Sequence, residues 1–198
     1  MTLAQHALAS PDEIEDALRA RKAVFRGLSP ERSIFTSRIF SRAILYPCAH
    51  RLSATQFSAL SAALRVAGES EYYMSYVPVV QTDDESFHQY WRLPRGDFSA
   101  YEVATRAPLE MALYSVKEEW GILTTDAEFA VVGGSESFIR ALFTELPDDS
   151  ATQARRFVED WCENARLGSW RTDWVESMLP DIVGPEFARE LLPDQGSN

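Results

Sequence analysis

The feature that most constrains this chain is a change of hydrophobic period, made twice. Apolar residues recur at helical spacing up to about residue 68, alternate from about 71 to 132, and return to helical spacing from 135 to 192. A 3.6-residue period buries one stripe of a helix; a period of two buries one face of a strand. Helices, then a run of strands, then helices predict an α+β fold in which an antiparallel sheet of five to six strands (residues 72–132) is packed by N-terminal (1–68) and C-terminal (135–192) helical segments of one domain. With 198 residues, 45% of them apolar, the chain is long enough for one core without disulfide or metal staples.

Helix boundaries are written in capping residues. Ser10-Pro11-Asp12-Glu13 places an N-cap serine, a first-turn proline and a capping-box glutamate ahead of Ile14, Ala17, Leu18 and Phe25. Arg21 interrupts that stripe, and its stem is expected to pack while its head reaches water. Ser29-Pro30 repeats the signal, so a second helix is expected through Ile34, Phe35, Ile39 and Leu45 to Pro47. Ser53 to Gln56 opens a third. Strands are expected at Tyr72–Val80, Ser86–Leu93, Phe98–Val103, Met111–Ser115, Trp120–Thr124 and Glu128–Val132, joined by links too short for parallel crossovers. Gly133-Gly134-Ser135 reads as a sharp turn whose serine caps a helix to Leu146. Ser150 to Gln153 reads as another capping box, opening a helix to Leu167, and shorter helices follow at Trp170–Met178 and Pro185–Leu192.

The net charge is −11, unevenly spread. Residues 1–66 hold nine bases and five acids, +4; the remainder holds ten bases and twenty-five acids, −15. Either the two parts pair in the fold, or the acidic part faces a cationic partner and speeds its arrival. Seventeen arginines against two lysines suit a GC-rich bacterial source. The first ten residues lack the basic and apolar stretches of a signal peptide, and no window is apolar enough to span a membrane, so a cytoplasmic, soluble protein is expected. Cys48 and Cys162 form no disulfide framework.

Catalytic signals are weak. Cys48-Ala49-His50 supplies two candidate ligands, too few for zinc. Gly133-Gly134-Ser135 is neither a P-loop nor a dinucleotide fingerprint. No cofactor or metal is expected. A hydrolase or transferase would need His50 or His88 beside a carboxylate or Cys48. Nucleic-acid binding would need Arg19, Arg21, Lys22, Arg26, Arg32, Arg38 and Arg42 to form one exposed stripe on a helix pair. The acidic runs Asp83-Asp84-Glu85 and Asp148-Asp149 are candidate contacts for a basic protein. Tyr72, Tyr73, Tyr76, Tyr90 and Trp91 on the first hairpin, with Trp161, Trp170 and Trp174, would be interface anchors wherever exposed.

The phrase from Trp120 to Gly134 followed by Phe138, with the approach Pro108–Ser115 and the helix-then-strand Phe57–Tyr76, resembles small bacterial immunity-type proteins of polymorphic toxin systems. The resemblance implies a non-enzymatic protein that binds and blocks a cognate toxin. An acidic chain would suit a basic toxin such as a nuclease.

Overall fold

The computed structural model describes residues 6–29, 33–77, 89–107, 109–167 and 173–192. It is an α+β fold built on a six-stranded antiparallel sheet: β1 (Ser41–Leu45), β2 (Glu71–Tyr76), β3 (Tyr90–Pro94), β4 (Met111–Ser115), β5 (Gly121–Thr124) and β6 (Ala130–Gly134), in the order β1-β6-β5-β4-β2-β3. Among the described residues seven helices accompany it: α1 (Pro11–Val24), α2 (Ala54–Val66), α3 (Phe98–Ala104), α4 (Glu136–Thr144), α5 (Ser150–Arg166), α6 (Asp173–Val183) and α7 (Pro185–Leu191).

The pleat divides the core in two. Ile44, Tyr73, Tyr90, Ala112, Tyr114, Leu123 and Val131 meet α1, α5, α6 and α7 on one face. Leu45, Met74, Trp91, Leu113, Ile122 and Val132 meet α2, α3 and α4 on the other. The sheet is therefore covered on both sides, and strands β4, β5 and β6 are buried at every position.

Several sequence expectations give way. The helix expected from Ser29 to Pro47 is one: residues 33–40 are irregular and β1 follows, so the sheet extends beyond 72–132. The reason is double burial. Ala43 and Leu45 enter one core and Ile44 the other, and a strand buried on both faces shows no alternation to read. Phe98–Val103 lies in helix α3 rather than a strand, because the Asp97 carboxylate accepts from the Ala100 N–H at 2.9 Å and caps it. Helix α5 is capped by Asp149, which accepts from Thr152 N–H at 2.7 Å, one residue before the expected serine. The Ser10 and Ser53 capping boxes form as read.

Gly133 and Gly134 are strand residues, not a turn, and their role is close approach. A Cβ on Gly133 would lie 2.5 Å from Ile39 Cγ2, and one on its register partner Gly121 would lie 2.6 Å from Phe25 Cζ. The two bare backbones let the stacked pair Phe25–Phe35, 5.5 Å between centroids, lie directly on the sheet.

Candidate functional site

The two ends of the sheet differ in how their carboxylates are met. At one end lie the starts of β1, β2 and β5 and the finishes of β3, β4 and β6. Here the β4–β5 turn is tied down. Glu69, buried, accepts from Ser115 Oγ at 2.5 Å, from Val116 N–H at 3.2 Å and from Trp120 Nε1–H at 3.2 Å. Lys117 Nζ donates to the carbonyls of Ala67 and Gly68, which end α2. Glu118 takes Arg38 at 2.9 Å and Arg19 at 3.8 Å.

The opposite end gathers Glu110, Asp126, Glu128, Asp148 and Asp149 from separate connections. Glu110 precedes β4; its carbonyl accepts from Val77 N–H at 2.9 Å and its carboxylate from Asp126 N–H at 3.2 Å. Burial pushes the Glu110 carboxyl up, and the Asp126 charge adds to the rise against that N–H. Asp126 and Glu128 are exposed in the β5–β6 turn, and the Glu128 carbonyl accepts from Cys48 N–H at 2.7 Å. Asp148 pairs with Arg156 at 2.7 Å. Asp149 is exposed, and the Thr152 N–H it receives holds its carboxyl below the usual range. Tyr46 stitches β1 to α5: its N–H donates to Gln153 Oε1 at 2.7 Å and its O–H to Asp160 Oδ2 at 2.5 Å. Burial, then Asp160 and Glu128, push that phenol well up. Among the described residues the arginines at this end include Arg156, engaged by Asp148, the exposed Arg155, whose charge acts on Asp149, and the exposed Arg51 and Arg106.

Of the acidic residues singled out in the sequence, Asp148 and Asp149 thus fall at this end, where both also hold the start of α5. Asp83, Asp84 and Glu85 lie outside the described residues, as does His88. Glu110, Asp126 and Glu128 escaped the sequence reading because each stands apart from any acidic run. Glu69 escaped it because nothing local marks a glutamate as buried.

The Cys48–His50 neighbourhood does not assemble a nucleophile and base. The Cys48 thiol is buried, donates to the Ala49 carbonyl at 3.3 Å, and is pushed up to about 12 by burial. His50 is half-buried, and its carbonyl accepts from Thr124 Oγ1 at 3.0 Å. Among the described residues no group of three or more His, Cys, Asp or Glu side chains could hold a metal ion.

Among the described residues the basic helix pair required for nucleic-acid binding does not form either. Arg38 and Arg42 lie off any helix and are engaged, Arg38 by Glu118 and Arg42 by Asp181 at 2.5 Å. Arg19 pairs with Asp16 as well as Glu118. Arg21 does not reach water as expected with its whole head: Nη1 is buried, and the guanidinium lies 5.6 Å from the centroid of the Tyr90 ring. Arg32 is outside the described residues.

The hairpin aromatics Tyr72, Tyr73, Tyr90 and Trp91 are core, and Tyr76 is half-buried with its O–H on the Ala104 carbonyl at 2.6 Å. Trp161 is buried and stands edge-on to the half-buried Trp174; Trp170 lies outside the described residues. No helix among the described residues is long and apolar enough to cross a membrane. No protein-family model, curated protein or solved structure matches the chain.

Proposed function

We propose that this chain works without catalysis, by binding another protein, and that its partner is a basic domain of the toxin type, which it blocks as an immunity-like inhibitor. The observation that supports this is the asymmetry of the sheet ends. Glu118 is matched by arginines at one end. Asp126, Glu128 and Asp149 are exposed at the other, where no ion pair is formed by Asp126, Glu128 or Asp149 among the described residues, although the Arg155 charge acts on Asp149. An exposed surface with an excess of carboxylates speeds association with a cationic partner and is screened by salt.

The experiment is a binding series of the chain against basic nuclease-type toxin domains between about 50 and 500 mM salt, where screening lengths fall several-fold. Affinity should drop steeply with salt, and Asp126→Lys with Glu128→Lys should slow association at low salt. Salt-independent affinity, or a double variant that associates as fast as the parent, would overturn the reading.

A further inference from the structure

We infer that the layer between α1 and the sheet holds a binding site for a small carboxylate, built from Arg21, Ser75 and Tyr114. Arg21 faces the sheet from α1, near the buried Ala17, Ala20 and Val24. Its Nη1 is buried with no hydrogen-bond partner, and Ser75 Oγ and Tyr114 Oη, buried side by side, have none besides each other. The register puts these groups together. Ser75 pairs with Tyr90 on β3 and with Ala112 on β4, and Tyr114 stands two residues beyond Ala112 on the same face. The Arg21 guanidinium lies over Tyr90 and its charge acts on the Tyr114 phenol. Between them Ala112 contributes only a methyl group.

Buried donors are almost always satisfied, by protein, water or a bound ion. Here one cationic donor and a pair of hydroxyls converge, and among the described residues no carboxylate pairs with Arg21, whereas Arg19, Arg38, Arg42, Arg92, Arg140 and Arg156 each have one. A single guanidinium balances a single negative charge, which favours a monoanion over a phosphate dianion. One carboxylate oxygen would take Arg21 Nη1–H and the other the two hydroxyls, in the charge-assisted geometry guanidinium groups prefer. The site is separate from the acidic end of the sheet and stands or falls independently of it.

Thermal unfolding in sodium acetate and in sodium chloride of equal ionic strength tests it, on the parent, Arg21→Met, Tyr114→Phe and, as a charge control, the exposed Arg19→Met. Acetate at about a hundred times its dissociation constant should raise the parent's Tm by roughly 5–10 °C relative to chloride. Arg19→Met should keep that gain, Tyr114→Phe should reduce it, and Arg21→Met should abolish it. Equal responses to the two salts, or an undiminished gain in Arg21→Met, would mean that ordered water alone satisfies these groups. Should Arg21→Met fail to fold, near-ultraviolet circular dichroism decides. A saturable change on adding acetate to the parent, reduced in Tyr114→Phe, supports the site; a change that is absent or non-saturable overturns it.

Discussion

The β4–β5 and β5–β6 turns are built alike and met differently. Each holds a glutamate in the left-handed region, Glu118 at φ 66° and Glu128 at φ 61°, a conformation that disfavours any residue with a Cβ. Glu118 carries two arginines from the N-terminal part of the chain. Glu128 is exposed beside Asp126. The comparison answers the question raised by the split of charge. The basic N-terminal part offsets the acidic remainder only in part, through Arg19 and Arg38 on Glu118 and Arg42 on Asp181. It does so away from the β5–β6 turn, so acidic surface is left where that turn lies.

The difference is sharpest under substitutions that strike one end only. Gly133→Val would drive side-chain carbon into Ile39 and Phe35, which lie 2.5 and 2.8 Å from its first added atom. Overpacking of that kind should cost about 3 kcal/mol, whereas Asp126→Ala should stay within about 0.5 kcal/mol. Urea unfolding of both variants measures it; equal losses would erase the distinction between a packed end and a displayed one. Next in size, Glu69→Ala removes the acceptor shared by Ser115, Val116 and Trp120 and should cost about 2–3 kcal/mol.

Glu69 also carries a pH signature. Burial holds its carboxyl above the ordinary glutamate range, against the pull of its three donors and Lys117. The folded chain therefore binds that proton more tightly than the unfolded chain. The resulting stabilisation is complete below the unfolded value of about 4.3 and is lost as pH climbs through the raised folded value. Relative to Glu69→Gln, the parent should weaken as pH rises from about 4 toward neutrality. Urea midpoints that move the other way would show that the three donors outweigh burial. At the acidic end Asp126 helps to raise Glu110, so Asp126→Asn should bring the Glu110 carboxyl down, read by NMR titration of its side-chain carbon.

What the sequence revealed follows from where the signal resides. Capping is local, so Ser10, Ser53 and Ser135 marked their helices. The β4–β5–β6 meander was legible because short polar turns separate apolar runs. β1 was not, because burial on both faces removes alternation, and the proline after Ser29 imitates a helix start. The acidic end was half legible. Asp148 and Asp149 stand as a pair, but Asp126 and Glu128 join them only through the antiparallel register that brings the β5–β6 turn beside the end of β1. Convergence of that kind is a property of topology, and no window of sequence contains it.

The smallest expected effect discriminates best between the two turns. Glycine at either left-handed position relieves about 1 kcal/mol of steric strain, offset by about 0.5 kcal/mol for the greater freedom of glycine in the unfolded chain. Glu128→Gly should therefore stabilise by about 0.5 kcal/mol. Glu118→Gly starts from the same gain but loses Arg38 and Arg19, exposed pairs worth up to about 1 kcal/mol, and should be neutral or destabilising. The same two variants should divide in the opposite sense on binding. Glu128→Gly should slow association with a cationic partner at low salt while raising the urea midpoint, and Glu118→Gly should leave association unchanged. A strained glutamate whose replacement improves the fold and impairs the contact is kept for the contact. If both glycine variants move stability alike, or Glu128→Gly binds as fast as the parent, then the exposed carboxylates of the β5–β6 turn are solvated surface and the contact lies elsewhere.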